Sequence, residues 1–198
     1  MILSDRDIRK AMGDGSIAVD PFDETRLQPS SVDVTLHPVL RVPVATRIDL
    51  ADVPAGHTEE ALIGPDGYAL RPGGFVLGAT VEKIGVRRGH IARVEGRSSL
   101  GRLGLAIHVT AGFVDVGFGP AQITLEIANF APWEIILRPG VPIAQIAFET
   151  ISSSPLRDYS QTGRYQHQAG ATESRFGWDR DAVLAEHRAA AALHDPAA

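Results

Sequence analysis

Residues 122–129 read QITLEIAN, and this stretch decides the fold because apolar and polar side chains alternate along it. Successive side chains of a β-strand point to opposite faces of the sheet. Three aliphatic side chains therefore share one face, while Thr124, Glu126 and Ala128 share the other. The alternation predicts a strand with one face in the core and a carboxylate in the middle of its second face.

Similar short apolar segments occur along most of the chain. The strand candidates lie at 32–36, 75–82, 91–95, 105–110, 122–129, 134–138 and 143–149. Residues 51–72 are predicted to be irregular, with turns marked by Gly and Pro. Twenty glycines and thirteen prolines are scattered through the chain, which is typical of short strands joined by tight turns. We therefore expect an all-β fold with minor helices, arranged as an antiparallel sandwich or barrel.

The two ends of the chain depart from this strand pattern. Ser4 predicts the N-cap of a short helix that ends near Gly13. Residues 152–177 are polar and rich in Ser, Gly, Gln and Arg, which is typical of an extended arm. We therefore expect one β domain over residues 1–177, including the arm, and a helical tail over residues 178–198.

Composition excludes several classes of function. The net charge of −5 provides no basic surface for a nucleic-acid polymer. The absence of cysteine excludes disulfides and every zinc site that needs sulfur ligands. We see neither a signal-peptide pattern nor an apolar run of membrane-spanning length. The expectation is a cytoplasmic protein that binds neither a membrane nor a nucleic-acid polymer.

Residues 96–104, GRSSLGRLG, combine three glycines with two arginines and two hydroxyl groups. Glycine lets the backbone approach a ligand closely, and guanidinium groups form paired hydrogen bonds with phosphate oxygens. A surface turn whose arginines form salt bridges explains the same residues. Taken alone, the segment supports phosphate binding and a polar turn about equally.

Two carboxylates have comparable alternatives. Asp115, within TAGFVDVGF at 110–118, either caps a turn or accepts a hydrogen bond from a sugar hydroxyl, with Phe118 stacking on the sugar or base. Glu126 is either solvated or held in a partly desolvated site as a general acid/base. For an isolated carboxylate, the turn cap and the solvated face are the more frequent cases.

Taken together, GRSSLGRLG, TAGFVDVGF and ITLEIAN, in this order and spacing, resemble the dCTP deaminase family of the dUTPase-like superfamily. Further segments that resemble it are SDRDIR at 4–9, QPSSVDVTL at 28–36, LRPGGFVLG at 70–78, LRPGVPIAQI at 137–146 and GRYQHQAG at 163–170. The resemblance covers roughly residues 1–175. The combination is specific, although no single segment is.

The resemblance implies a distorted antiparallel β-barrel of the dUTPase-like type, assembled as a homotrimer with active sites shared between subunits. It implies zinc-independent hydrolysis of the cytosine amino group of dCTP. The lack of cysteine agrees, because the His/Cys/Cys-zinc route of other deaminases is unavailable. Mg²⁺ is expected to accompany the triphosphate, held mainly by phosphates and water. Because the arm has little apolar content, we also expect that it does not fold back on its own chain.

Carried over to this sequence, the catalytic group is Glu126, which would take a proton from the attacking water, help protonate the ring nitrogen and assist the departure of ammonia. Ser98 and the backbone of Ala111 would position that water. Arg102 would lie beside the pyrimidine ring and Glu126. Asp115 would receive the deoxyribose 3′-hydroxyl.

Other matching positions would bind the nucleotide. Arg97 and Ser99 belong to a loop that holds phosphates, whereas Tyr159, Arg164 and Gln168 match positions that close over the triphosphate. Arg164 stands where the family usually has lysine, so a forked guanidinium replaces a point charge. The complete set of expected substrate-binding residues is Arg97, Ser99, Leu100, Gly101, Asp115, Phe118, Thr124, Leu125, Gln145, Tyr159, Arg164 and Gln168. No side chain is expected to ligate a metal directly.

The sequence departs from the family pattern between Asp115 and Glu126. Val116 stands where the family usually has Pro or Ala, and the turn Gly-Pro-Ala-Gln at 119–122 is one residue longer than usual. We expect the turn to absorb the extra residue. The departure leaves open a specialised deaminase for a modified or differently phosphorylated cytosine nucleotide.

Two other functions share this framework. A dUTPase would share the glycine-rich loop and the Asp115 segment, but it usually has an apolar residue at the position of Glu126 and lacks a counterpart of Arg102. A non-catalytic nucleotide-binding module is supported only by the altered turn. The pair of Glu126 and Arg102 favours deamination.

The product is either dUTP, or dUMP and pyrophosphate. Ala111, Phe113 and Gln145 look more like those of dUMP-forming members than like those of dUTP-releasing ones. A glycine at 112 is expected to leave room near the ring and the path of the water. These matches favour the formation of dUMP.

Overall fold

The computed structural model describes residues 1–176. The helical tail expected at 178–198 lies outside the described residues, as does residue 177 of the expected arm. The helices are α1 (Asp5–Gly13), α2 (Ser98–Gly101) and α3 (Tyr159–Thr162), with a 3₁₀ helix at Glu24–Arg26. As predicted, Ser4 is the N-cap of α1, and its hydroxyl accepts from the amide of Asp7.

The described residues form thirteen strands. They are β1 (Ile17–Asp20), β2 (Leu27–Gln28), β3 (Ser31–Thr35), β4 (Val39–Pro43), β5 (Thr58–Leu62), β6 (Tyr68–Leu70), β7 (Phe75–Val86), β8 (His90–Gly96), β9 (Leu105–Ala106), β10 (Phe113–Val114), β11 (Ala121–Asn129), β12 (Ile135–Leu137) and β13 (Pro142–Thr150). Their pairings are all antiparallel.

Two sheets enclose the core. The first has the order β5-β4-β7-β11-β9, and β1 also pairs with β7. The second has the order β10-β8-β13-β3-β2, while β12 and β6 form a separate pair. The expected all-β architecture with minor helices is confirmed.

The ladder between β7 and β11 forms the middle of the first sheet. On β11, Leu125 and Ile127 are fully buried and Ile123 is 6% exposed, whereas Thr124 and Glu126 are partly exposed. The alternation predicted from the sequence is therefore confirmed. Burying these aliphatic side chains supplies hydrophobic stabilisation to one face, and the other face is left available for a site.

Several strand predictions were wrong in extent. Residues 51–72 are not all irregular, because they contain β5 and β6. The sequence of β5, TEEAL, carries two exposed glutamates, and charged side chains are common on the edge strands of sheets. Of the strand predicted at 105–110, only β9 forms, because the backbone beyond it leaves the sheet. Strand β4 and the short strands β1, β2 and β10 were not predicted.

The register between β7 and β11 changes within the ladder itself. The ladder between β7 and β11 shifts between Gln122 and Thr124, so a β-bulge adjusts the register inside the sheet. Thr80 stabilises the bulge: its hydroxyl donates to the carbonyl of Glu82 at 2.6 Å and accepts from the amide of Ile123 at 3.0 Å. Between the ladder pairs of Gln122 and Thr124, β7 has three residues and β11 has one. The surplus lies on β7, so the expectation that the turn at 119–122 absorbs its extra residue stays a prediction.

The arm does fold back on its own chain, contrary to expectation. Gln168 is buried, and its amide donates to the carbonyl of Gln122 at 2.6 Å. Ala171 is buried as well, and the amide of Gly170 donates to the side chain of Gln122 at 2.6 Å. Polar contacts with β11 replace the apolar packing that the arm lacks.

Glu82 is the largest buried carboxylate of the core and joins both sheets. It is 1% exposed and accepts from Arg26 Nη1 at 2.7 Å and from the amide and hydroxyl of Thr35 at 2.8 and 2.9 Å.

We expect Glu82→Ala to lower the free energy of unfolding by about 3 kcal/mol, because it leaves the partly buried guanidinium of Arg26 and the two buried donors of Thr35 without their acceptor. Urea unfolding at one fixed chain concentration measures this change. Glu59→Ala, at an exposed carboxylate on β5, is the control; equal stability of the two variants would contradict the prediction.

Candidate active site

A cavity of about 800 Å³ opens beside the polar face of β11. Its walls come from β7 and β11, the segment 109–115, the start of β5 and the arm. The lining residues are Pro43, Ala45, Ile48, His57, Thr58, Phe75, Leu77, Val109, Thr110, Ala111, Phe113, Val114, Asp115, Phe118, Ile123, Thr124, Glu126, Tyr159, Tyr165, Gln168, Thr172, Glu173 and Ser174. The volume is within the usual range for small-molecule sites.

Glu126 is held at the cavity wall by two backbone amides. Its Oε2 accepts from the amide of Val109 at 2.8 Å and from the amide of Thr110 at 3.1 Å. Both bonds engage the same oxygen, and no hydrogen bond to Oε1 is seen among the described residues. The carboxylate is therefore fixed in orientation by one oxygen, which leaves the other available for proton transfer.

The arm and β11 share a polar network next to Glu126. The Thr172 hydroxyl donates to Oε1 of Gln168 at 2.9 Å, and the amide of Thr172 donates to the Thr124 hydroxyl at 3.2 Å. The Thr124 hydroxyl also lies 3.4 Å from Oε1 of Gln168. These contacts place Gln168 and Thr124 on one wall of the cavity, and their binding of substrate stays a prediction.

Two aromatic side chains close one end of the cavity. The rings of Phe118 and Tyr159 have centroids 5.7 Å apart and are tilted by 60°, a favourable geometry for an aromatic pair. Phe118 is only 7% exposed and packs in the core. Phe118 nevertheless lines the cavity, and its stacking on a sugar or base stays a prediction. Tyr159 is the more accessible of the two aromatic side chains.

Asp115 and Ala111 lie on another part of the cavity wall. Both are exposed and line the cavity with Glu126. The carbonyl of Asp115 accepts from the amide of Phe118 at 3.1 Å. The main chain of Asp115 thus forms a turn, and its side chain remains accessible from the cavity.

The predicted phosphate loop does not line this cavity. Residues 97–102 form α2 and its flanks, at the end of β8. Arg97 binds Asp33, with Nη2 3.1 Å from Oδ2, and donates from Nη1 to the carbonyl of Pro142 at 3.2 Å. Gln145 lies beside this loop, and its amide donates to the carbonyl of Gly96 at 3.1 Å. The predicted residues that form this second group are Arg97, Ser98, Ser99, Leu100, Gly101, Arg102 and Gln145.

Three other positions named in the sequence analysis do not line this cavity. Leu125 is fully buried on the core face of β11, so its side chain cannot bind a ligand in the cavity. Arg164 is exposed and does not line the cavity. Gly112 does not face open space, because a Cβ there would lie 2.9 Å from the carbonyl oxygen of Val94. The expectation that Gly112 leaves room beside a bound ring is therefore wrong.

Some lining residues were missed by sequence reasoning. The amides of Val109 and Thr110 bind Glu126 through the backbone, and side-chain patterns do not report such contacts. His57 and Thr58 lie in a region that was predicted to be irregular. Glu173 follows the last segment that carried the resemblance, GRYQHQAG.

A family model for dCTP deaminase-like proteins matches residues 2–151. The chain belongs to the dCTP deaminase-like family. The chain is 46% identical over 182 residues to a protein of Beutenbergia cavernae named "dCTP deaminase, dUMP-forming", which covers 88% of this chain and 94% of that protein. A protein of Mycobacterium marinum with the same name is 44% identical over 183 residues, covering 88% of this chain and 95% of that protein.

A solved structure of a dCTP deaminase-like protein supports the fold. The 2′-deoxycytidine 5′-triphosphate deaminase of Agrobacterium tumefaciens matches with a TM-score of 0.60 at 21% identity. The match covers 76% of this chain and 48% of that chain, so this chain spans about half of its length.

Two further properties of the dCTP deaminase-like chain concern metals and membranes. Among residues 1–176, no three His, Asp or Glu side chains come together as metal ligands. In the same part of the chain, no helix is long and apolar enough to cross a membrane.

The position of Gly112 determines how the backbone presents amides to Glu126. A Cβ at this position would also lie 3.2 Å from Cε1 of His108, so Gly112→Ala must displace the neighbouring segment. We expect amide hydrogen exchange at Val109 and Thr110 to accelerate by about tenfold, because their bonds to Glu126 lengthen. Exchange followed by NMR measures the change. In the control Gly13→Ala, the added methyl meets no atom within 4 Å; unchanged exchange in Gly112→Ala would contradict the prediction.

Proposed function

We propose that this chain hydrolyses the cytosine amino group of dCTP and continues to dUMP and pyrophosphate. The observation that carries the proposal is Glu126, a carboxylate oriented by two backbone amides in a cavity large enough for a nucleotide. The names of the relatives from Beutenbergia cavernae and Mycobacterium marinum support the substrate and the product.

The geometry of Glu126 suits proton transfer during deamination. Water adds to C4 of the cytosine ring, and Oε1 takes the proton that this water loses. Glu126 gives this proton to N3, then takes the remaining proton of the added hydroxyl and passes it to the amino group. The bond between C4 and the amino nitrogen breaks, ammonia leaves, and Glu126 returns to its starting state. The amides of Val109 and Thr110 keep the carboxylate in one orientation throughout, which avoids reorganisation during the reaction.

The site is proposed to be completed by a neighbouring copy of the chain. Ser98 and Arg102 are the expected partners of Glu126, yet the loop that carries them does not line the cavity of the same chain. A homotrimer in which each cavity receives the loop of the next subunit brings the two groups together. Leu103 and Phe130 beside this loop are 50% and 74% exposed, as expected for surfaces that a partner covers.

The triphosphate is proposed to lie between the arm and the neighbouring loop. Arg97 and Ser99 would face the phosphates, while Tyr159 and Arg164 would approach them from the arm. Mg²⁺ would arrive with the phosphates, and no cluster of acidic ligands among residues 1–176 would be needed to hold it. When bound, it offsets negative charge on the pyrophosphate leaving group.

Formation of dUMP requires a second hydrolysis, at the α-phosphorus of the bound nucleotide. Water forms the new P–O bond and pyrophosphate leaves. Asp115 lines the same cavity as Glu126, so one bound nucleotide is within reach of both groups. The names of the relatives and the position of Asp115 in the cavity wall support this step.

Replacing Glu126 tests the proton-transfer role. Glu126→Gln keeps the size of the side chain but cannot shuttle protons, so we expect kcat for ammonia release from dCTP to fall below about a hundredth of the wild-type value. Calorimetric titration of the variant with dCTP and Mg²⁺ should still show binding. Glu134→Gln, at an exposed carboxylate outside the cavity, is the control. Retention of more than that fraction of activity would refute the assignment.

The product distinguishes the two reactions. We expect dCTP incubated with the enzyme and Mg²⁺ to yield ammonia, dUMP and pyrophosphate in equal amounts, resolved by anion exchange. Ammonia with accumulating dUTP and no pyrophosphate would exclude the second hydrolysis and leave deamination standing. Incubation with CTP, dCMP and dUTP in parallel defines the substrate.

A further inference from the structure

Glu173 joins the end of the arm to the opposite side of the cavity. Its Oε1 accepts from the amide of Gly56 at 3.0 Å, and its Oε2 accepts from the hydroxyl of Thr58 at 3.2 Å. Oε2 also lies 3.7 Å from Nη2 of Arg41 and 3.6 Å from Nδ1 of His57. One carboxylate thus contacts four residues of β4, β5 and the loop between them.

The neighbours of Glu173 in the arm are tied to β11 instead. Thr172 bonds to Thr124, and the amide of Gly170 bonds to the side chain of Gln122. The segment 168–173 is therefore fastened at β11 and again at the β4–β5 side. Between these two attachments it forms part of the cavity wall.

Charge favours the attachment of Glu173 to β4, β5 and the loop between them. The hydrogen bond from the amide of Gly56 lowers the pKa of Glu173 below its ordinary value, against the opposing effect of partial burial. The carboxylate is therefore ionised at neutral pH and faces the guanidinium of Arg41. Glu60 also pairs with Arg41, at 3.3 Å, but its side chain is 70% exposed, whereas that of Glu173 is 24% exposed.

We propose that Glu173 is a positioning residue that fastens the arm over the cavity before the nucleotide arrives. It acts through Gln168 and Thr172, since its own oxygens are engaged by Gly56 and Thr58. With this attachment in place, the arm meets the nucleotide without first being ordered, so less binding free energy is lost. The inference rests on the proposed function in one respect, namely that the cavity binds the nucleotide.

Three variants separate this role from a general loss of structure. We expect Glu173→Ala to raise KM for dCTP by about tenfold, with kcat changed less than about threefold, because the arm is loosened and Glu126 is untouched. Glu173→Gln should rescue part of the loss, since its amide oxygen still accepts from Gly56. Glu60→Ala is the matched control, as it removes the other carboxylate on Arg41, and we expect its KM to remain at the wild-type value.

A second measurement needs no turnover. Hydrogen–deuterium exchange of the nucleotide-free protein, followed by mass spectrometry, should show residues 168–173 exchanging about tenfold faster in Glu173→Ala than in Glu60→Ala. An unchanged KM in Glu173→Ala overturns the proposal, and so does unchanged exchange in this segment. If the wild-type chain does not turn over dCTP, the proposed function fails, and the exchange result alone then decides whether Glu173 fastens the arm.

Discussion

The antiparallel ladder between Phe75–Val86 and Ala121–Asn129 is the constraint on which the site depends. The period of two along β11 commits its aliphatic side chains to the core and thereby places Thr124 and Glu126 on the other face. A slip of one residue would exchange the two sets, at the cost of exposing three large apolar side chains. The apolar packing that holds the fold together therefore also fixes the position of Glu126.

Around this ladder, backbone groups complete the site. The two amides that bind Glu126 belong to a segment that leaves the sheet after β9, and Gly112 allows that segment to pass close to Val94. The arm then covers the polar face of β11 through hydrogen bonds rather than through apolar packing. The described chain thus brings Glu126 and the arm to one cavity, while the loop at 97–102 does not line it.

Sequence reasoning located the long strands and Glu126 because strong periodicity reports burial directly. It failed where backbone geometry decides, as in the bulge at Thr80 and the amides of Val109 and Thr110. The prediction for the arm was wrong because apolar content does not indicate polar contacts. The side chain of Gln122 accepts from the amide of Gly170 and holds the arm against β11. The role expected for the loop at 97–102 came from the family resemblance alone, and within the described chain this loop does not line the cavity of Glu126.

The central claim is that Glu126 of one chain acts with Arg102 of the next. Mixing two inactive variants, Glu126→Gln and Arg102→Ala, after joint unfolding and refolding tests it most directly. In a randomly mixed trimer, about a quarter of the sites receive both intact residues. The account predicts that deamination of dCTP returns to about a quarter of the wild-type rate per chain. A mixture as inactive as either variant alone would contradict it.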